Sequence, residues 1–300
     1  MMLSIIIPSY CSEDNLDATL QALAAQSQPQ TQLSAEIIVV DCSPNQKVDD
    51  ICARYPAVRL MKQQQRFNPG GGRNIGAKAA HGETLVFIDS DVVLEANALE
   101  NIQLHSQAGK RVFGGALELS KTQKTNLSSY IEHYYFNHES QSTRNPTVRS
   151  NLSSALLVIN RRLFLDAGGF SDIPRMQDTE LTERLAAQGE HLFFFPDVIG
   201  YQIQDSPLKK VFKKIFITGN NLYFLRFGQG RSWLFKAVLF VLLPLMMLAK
   251  ITRINLRNIR YKASPLMLFI LCPSMYLCGL SWMFGCYKAL LFDGGIASKR

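Results

Sequence analysis

Two short apolar runs that each end in an acid constrain this chain most: EIIVVD at 36–41 and TLVFID at 84–89. Runs this apolar on both faces suit strands covered on both sides, as in a parallel sheet. Between such runs the spacing turns helical, with Leu16, Leu20 and Leu23 at i, i+4 and i+7. The alternation reads strand 3–8, helix 15–26, strand 36–41, short helix 48–55, strand 58–62, helix 72–80 entered from a glycine turn, and strand 84–89. This order predicts an α/β fold with a mostly parallel sheet, whose ligands bind outside the C-terminal ends of the strands. Further strands are expected at 112–119, 155–159 and 191–195, and helices at 164–170 and 178–188. The stretch 125–150, with Tyr130, Tyr134, Tyr135 and Phe136, reads as a loop or lid, or as a packed helix face.

Charge divides the chain. Residues 1–205 hold 17 basic and 23 acidic residues, whereas 206–300 hold 15 basic residues and one acid, Asp293. A mildly acidic catalytic domain at 1–205 is therefore expected to precede a basic, apolar region at 206–300. Basic residues interleaved with long apolar runs fit an anionic membrane surface and argue against nucleic acid. The uncharged run 237–249 is short for a crossing and contains Pro244, so 233–250 is expected to be interfacial or re-entrant. The run 263–287 is long enough to cross, and 263–288 is expected to be transmembrane or a kinked hairpin. The apolar start at 3–8 lacks the basic region and cleavage site of a signal peptide and reads as a strand. Six cysteines and five histidines show no metal-ligand spacing, and the cysteines are expected to be free thiols.

Four motifs can carry chemistry. Asp89 and Asp91 leave the end of an apolar strand at i and i+2, with Ser90 between them. Such a pair can hold a hard divalent cation, Mg²⁺ or Mn²⁺, with phosphate oxygens completing its shell. An ordinary strand-to-turn junction also favours Asp, so the pair alone does not decide. Asp41 ends the EIIVVD strand, where an acid suits a ribose hydroxyl or a base N–H, or a turn. Gly70, Gly71 and Gly72 lead toward a helix with Arg73, an arrangement suited to an anion or to a flexible turn; it is neither a P-loop nor a dinucleotide fingerprint. Asp178 and Glu180 open a helix, with Arg184 four residues after Glu180; Asp178 suits a general base or a plain cap.

Taken in order, SIIIPSY at 4–10, EIIVVD at 36–41, GGGRNIGAKAA at 70–80, FIDSDV at 87–92, FLDAGGFSD at 164–172 and QDTELTERL at 177–185 resemble the family-2 glycosyltransferases over about residues 3–205. The resemblance implies a GT-A fold, a nucleotide-diphosphate sugar donor (UDP- or GDP-linked), and inversion at the anomeric carbon. It implies that Pro8 and Tyr10 line the nucleotide pocket, that Asp41 contacts the nucleoside, and that Arg73 and Ser90 lie at the donor. Asp89 and Asp91 would form the DxD pair that binds sugar-nucleotide and metal. Asp178 would be the catalytic base, with Glu180 and Arg184 in support. Departures occur at Cys11 (usually Asn), at 42–44, at Gln177 (usually Glu) and at Gln202 (often His). The expected acceptor is a glycan or a lipid-linked glycan, and the expected location is the cytoplasmic membrane with the catalytic domain facing the cytosol. A degenerate membrane scaffold and a nucleotidyltransferase are the competing readings; the second lacks a glycine-rich loop after the first strand.

Overall fold

The computed structural model describes residues 1–26, 34–122, 125–173, 175–261 and 265–292, with only the backbone described at 265–268. Two compact units emerge. The first comprises Met1–Ser120, Arg144–Asp172 and Gln177–Ile203; the second comprises Lys121–Thr143, Ile173–Met176 and Gln204–Arg300. The segment 121–143, which the sequence reading assigns to the catalytic domain, thus belongs with the C-terminal helices.

The first unit is built on one mixed sheet. Its first half is β3 (Val58–Lys62), β2 (Ser34–Asp41), β1 (Met2–Ser9) and β4 (Thr84–Ile88), all parallel. Beyond β4 the expected parallel order gives way. β8 (Leu156–Asn160) is antiparallel to both β4 and β6 (Val112–Leu119), and β9 (Leu192–Gln202) is parallel to β6. The short β5 (Val92–Leu94) and β7 (Thr147–Arg149) add antiparallel pairs to β9.

Alternation along β1 sends Ile5 and Ile7 to one core and Ile6 to the other. The first core takes Leu16, Leu20 and Leu23 of α1 (Leu16–Gln26), together with residues of α2 (Lys47–Cys52) and α4 (Ala98–Gln107). The opposite core takes Ala77 of α3 (Pro69–Ala79), Phe164 of α6 (Arg161–Asp166), and Leu181 and Leu185 of α7 (Gln177–Ala187).

Helix α3 begins earlier than its expected start at residue 72, because Asn68 caps it by accepting the Gly71 N–H at 2.8 Å and Pro69 occupies its first turn. The three glycines therefore lie inside the helix rather than in a turn before it. Their role is close packing. A Cβ at Gly70 would meet Gln177 at 2.8 Å, and one at Gly72 would meet Phe67 at 2.5 Å.

The stretch 125–150 is divided between the units, its last part carrying β7 in the first and 125–143 lying in the second. Its first part is α5 (Leu127–Phe136), capped by Asn126 and Ser129. Buried Ile131 and Tyr135 pack in one cluster with α8 (Leu208–Phe227), α9 (Trp233–Arg260) and α10 (Pro265–Phe292). The segment 233–250, expected to be interfacial or re-entrant, lies in a single helix. α9 runs unbroken through Pro244, its Leu239, Leu243, Met247 and Ile251 forming one buried stripe. The expected hairpin within 263–288 is likewise one helix through Pro273, while residues 263–264 lie outside the described residues. By length and composition, α9 and the part of α10 from Phe269 to Phe292 are candidate membrane spans.

Candidate active site

Parallel pairing brings three strand ends side by side. Ser9 of β1 is paired with Asp41 of β2, and β4, on the other side of β1, delivers Asp89, Ser90 and Asp91 just past its last residue. Pro8, Tyr10, Asp41, Asp89, Ser90 and Asp91 therefore meet at one edge of the sheet, the edge where ligands bind in such folds.

Asp41 is 0% exposed. Its Oδ1 accepts the hydroxyls of Ser9 (2.8 Å) and Ser43 (2.7 Å), and its Oδ2 takes the Ser43 N–H (3.1 Å) and the Lys62 ammonium (2.9 Å). Lys62 also reaches Asp49 Oδ2 at 2.5 Å and the Asn45 carbonyl at 2.9 Å. Burial works against the charge of Lys62, but its hydrogen bonds to Asp49 and Asp41 raise its pKa above the ordinary lysine value. Asp41 is thus the buried anchor of the 42–45 turn. Tyr10 is 37% exposed, and the Arg66 guanidinium lies 4.1 Å from its ring centroid.

On the other side of the edge, Arg73 is buried, and its Nη2 donates to Asp89 Oδ1. Helix α3 is what carries this guanidinium to the β4 end. The Asp89 N–H donates to the Ala155 carbonyl at 3.2 Å, and the Val92 N–H closes a turn on the Asp89 carbonyl at 3.1 Å. The Ser90 carbonyl accepts from Thr19 at 3.1 Å, and the Asp91 carbonyl accepts from the Ile203 N–H at 2.7 Å. The DxD turn is therefore fixed by α1, β8 and β9. Gln202 pairs with Val92, which sets position 202 next to this turn.

Asp178 lies in the first turn of α7. Its Oδ2 accepts the Ser154 N–H at 3.3 Å and its Oδ1 accepts the Thr179 N–H at 2.8 Å. Ser154 precedes Ala155, the residue that anchors Asp89, so one dipeptide holds both acids. Glu180 and Arg184 act differently. Glu180 accepts from Ser171 and from Arg184 Nε (2.9 Å), while Arg184 donates to the carbonyls of Ala167 and Gly169. Burial opposes the charge on Glu180, yet its hydrogen bonds from Arg184 and Ser171 bring its pKa below the usual value. The pair clamps the loop between α6 and α7. A second clamp, Asn74, exchanges hydrogen bonds with the backbone of Phe170 at 2.8 and 2.9 Å.

Asp89 and Asp91 are hard oxygen donors suited to Mg²⁺ or Mn²⁺, and such ions commonly take one or two carboxylates plus phosphate oxygens. Among the described residues no group of three or more His, Cys, Asp or Glu side chains could hold a metal. Two carboxylates leave positions for phosphate oxygens, a donor set that fits a cation shared with a diphosphate. Sequence reasoning missed Lys62, Arg66 and Asn74. The register of β2 and β3, which pairs Asp41 with Lys62, is the signal that would have found the first.

A stretch of 104 residues is 33% identical to the poly(ribitol-phosphate) β-N-acetylglucosaminyltransferase TarS of Staphylococcus aureus, covering 34% of this chain and 18% of TarS. The glycosyltransferase AglE of Haloferax volcanii is 24% identical over 237 residues, 77% of this chain and 74% of AglE. The fold is similar to that of the mannosyltransferase PcManGT of Pyrobaculum calidifontis, solved with GDP-Man and Mn²⁺, at a TM-score of 0.62 and 17% identity over 97% of this chain and 87% of that one. Residues 4–165 match the family described as Glycosyl transferase family 2, so the strand ends, the DxD turn and the first half of the sheet all fall within the matched region, and the chain belongs to that family of transferase enzymes.

Proposed function

We propose that the chain is an inverting, metal-dependent glycosyltransferase that moves a sugar from a UDP- or GDP-linked donor to a hydroxyl of a glycan or lipid-linked acceptor. The observation that carries this reading is the anchoring of Asp89 and Asp178 on consecutive residues, Ala155 and Ser154. It keeps a donor-side acid and an acceptor-side acid in fixed relation, as in-line displacement requires. Asp178 takes the proton of the acceptor hydroxyl while that oxygen bonds to the anomeric carbon. The bond from that carbon to the diphosphate oxygen breaks with its electron pair leaving on the nucleotide. Tyr10, with Arg66 over its ring, offers a platform for the base. Asp41, already saturated, holds Ser43 and the 42–45 turn in place for the nucleoside. Arg73 orients Asp89. A divalent cation, held by Asp89 and Asp91, would neutralise charge on the diphosphate.

TarS and PcManGT have been solved with UDP-GlcNAc and with GDP-Man, which supports a nucleotide-sugar donor of either base. The basic, apolar second unit supports attachment to the cytoplasmic membrane with the catalytic unit in the cytosol, and hence a lipid-linked acceptor. The test is a donor screen in detergent that reads nucleoside-diphosphate release with and without Mn²⁺ or Mg²⁺. Release from one sugar nucleotide, stimulated by metal, is expected. No release and no calorimetric binding across UDP- and GDP-sugars would overturn the proposal.

A further inference from the structure

The two candidate spans do not stand alone within the second unit, and their partners bear on whether they cross a bilayer. α8 and α10 run side by side in the same direction. Ser281 donates to the Phe212 carbonyl at 2.9 Å, and the Cys286 thiol lies 3.2 Å from the Gly219 carbonyl. The approach is backbone to backbone: a Cβ at Gly219 would collide with the Trp282 carbonyl, and one at Gly285 with that of Phe216. Yet α8 carries Lys209, Lys210, Lys213, Lys214 and Arg226, and buries Asn220 and Asn221 in its middle. α10 cannot cross hydrocarbon without taking these groups into it.

The other end of α9 is bound as firmly to polar partners. Arg257 pairs with Glu139 and lies 3.1 Å from His138 Nε2, and Asn258 donates to the Tyr134 carbonyl at 3.1 Å. α9 itself is uncharged for only thirteen residues, 237–249, between Lys236 and Lys250. At 1.5 Å per residue that is about 20 Å, against a hydrocarbon core of about 30 Å.

What the helices do expose is apolar and runs lengthwise. On α9 the exposed apolar face is broad over its first half, with Trp233, Val238, Phe240, Val241 and Leu245, and narrows to Leu256 and Ile259 beside Arg253 and Arg260. On α10 it is Phe269 (82% exposed), Leu277, Leu280, Phe284 and Leu291. Lengthwise apolar stripes edged by Arg and Lys are the pattern of helices lying in a membrane interface.

We propose that α8, α9 and α10 form a monotopic bundle lying in a single leaflet. The α9 and α10 stripes sit among the outer acyl segments, and exposed Lys209, Lys210, Lys213, Arg253, Arg260 and Lys288 face anionic headgroups. This deepens the membrane reading above by fixing its topology: neither helix crosses.

Two single substitutions test it, Gln229→Cys in the turn before α9 and Arg260→Cys at its end, both at exposed positions. They are made in a chain whose Cys11 and Cys272 are replaced by Ser. A membrane-impermeant maleimide is applied to inside-out and right-side-out vesicles from expressing cells. Both positions are expected to label in inside-out vesicles only. Labelling of the two from opposite faces, or of either one only after detergent, would overturn the proposal. Flotation of the purified full chain is the second measurement. It is expected to bind phosphatidylglycerol vesicles about tenfold or more better than phosphatidylcholine vesicles. A stable soluble oligomer with no affinity for either vesicle would show that a second copy covers the stripes, and would also overturn it. Nucleoside-diphosphate release measured on the same vesicles reads the catalytic proposal independently.

Discussion

The buried guanidinium of Arg73 donates through Nη2 to Oδ1 of Asp89, tying the motif at 70–80 to the one at 87–92. Arg73 also lies 5.4 Å from the Phe170 ring centroid, so it is held by an aromatic face as well as by the acid. Replacing it with Met keeps much of the volume and removes the orienting hydrogen bond. Such bonds to charged groups contribute roughly 1.5–3 kcal/mol. Arg73→Met is therefore expected to lower kcat/KM for the donor by roughly tenfold to a hundredfold. An unchanged donor kcat/KM would show that Asp89 needs no such support.

Asp178 makes its two visible contacts with backbone N–H groups, at Ser154 and Thr179. Asn retains one acceptor oxygen for these contacts but cannot take a proton. Asp178→Asn is expected to cut turnover by roughly 10²–10⁴-fold, the usual contribution of a general base. Donor affinity by calorimetry and the melting temperature are expected to stay near wild type. Near-normal turnover would remove Asp178 from the mechanism.

The two acids of the DxD turn are not equivalent. Asp89 already shares an oxygen with Arg73, whereas the main chain of Asp91 is pinned to Ile203. Asp91→Asn is accordingly expected to raise the Mn²⁺ concentration for half-maximal nucleoside-diphosphate release by about tenfold or more, since one hard anionic ligand is lost. Identical metal titrations for Asp91→Asn and wild type would sink the metal assignment.

The edge of the sheet that carries these acids was legible from residues 36–41 and 84–89, because apolar runs ending in acid predict covered parallel strands with the acids at their C-terminal ends, although the acids alone suit a turn equally well. The parallel half of the sheet followed from it. The antiparallel half did not, since β5 and β7 are three-residue strands whose pairing with β9 depends on register rather than on any local pattern. Gly70, Gly71 and Gly72 misled for a related reason. Glycines that relieve a collision with Gln177 or Phe67 look in sequence like glycines that open a turn. The aromatics at 130–136 had two readings, and only their packing with α8, α9 and α10 favours the helix face. Asp41 shows the limit most clearly. Its place at a strand end was predictable, but its saturation by Ser9, Ser43 and Lys62 needs three separate strands and a turn to be assembled.

Cys11 illustrates how a departure in sequence becomes a physical statement. Its φ of +49° lies in the left-handed region, where a non-glycine side chain is disfavoured and Asn is tolerated best. The Cys11 N–H donates to Ser43 Oγ at 2.7 Å, which holds that conformation in place. Cys11→Asn is expected to stabilise the protein by about 0.5–1 kcal/mol, raising the melting temperature by a degree or more. Cys11→Val, β-branched and poorly suited to this backbone, is expected to lower it. The same melting temperature for both would show that the backbone at residue 11 relaxes without cost.

The second unit is expected to weaken in mild acid, and α5 supplies the reason. Burial pushes His133 down to about 4. Burial likewise lowers His138 to about 4, with Arg257 and Lys250 acting in the same direction and Glu139 against it. Both folded-state values lie below the unfolded value of about 6.5. Between those limits the unfolded chain binds more protons than the folded one, so stability is complete above about pH 6.5 and is lost as pH falls toward 4. The window 5 to 6.5 isolates histidine, because unperturbed carboxylates titrate mostly below it. Near-UV circular dichroism melts in detergent at pH 7, 6.5, 6, 5.5 and 5 read the effect. Each histidine is expected to contribute up to roughly 1.4 kcal/mol per pH unit in that window. His133→Phe keeps a ring in the buried site and removes the titration, so its melting temperature is expected to fall about half as steeply with pH as that of the wild type. Parallel slopes for the two proteins would mean that water reaches His133 in the folded state.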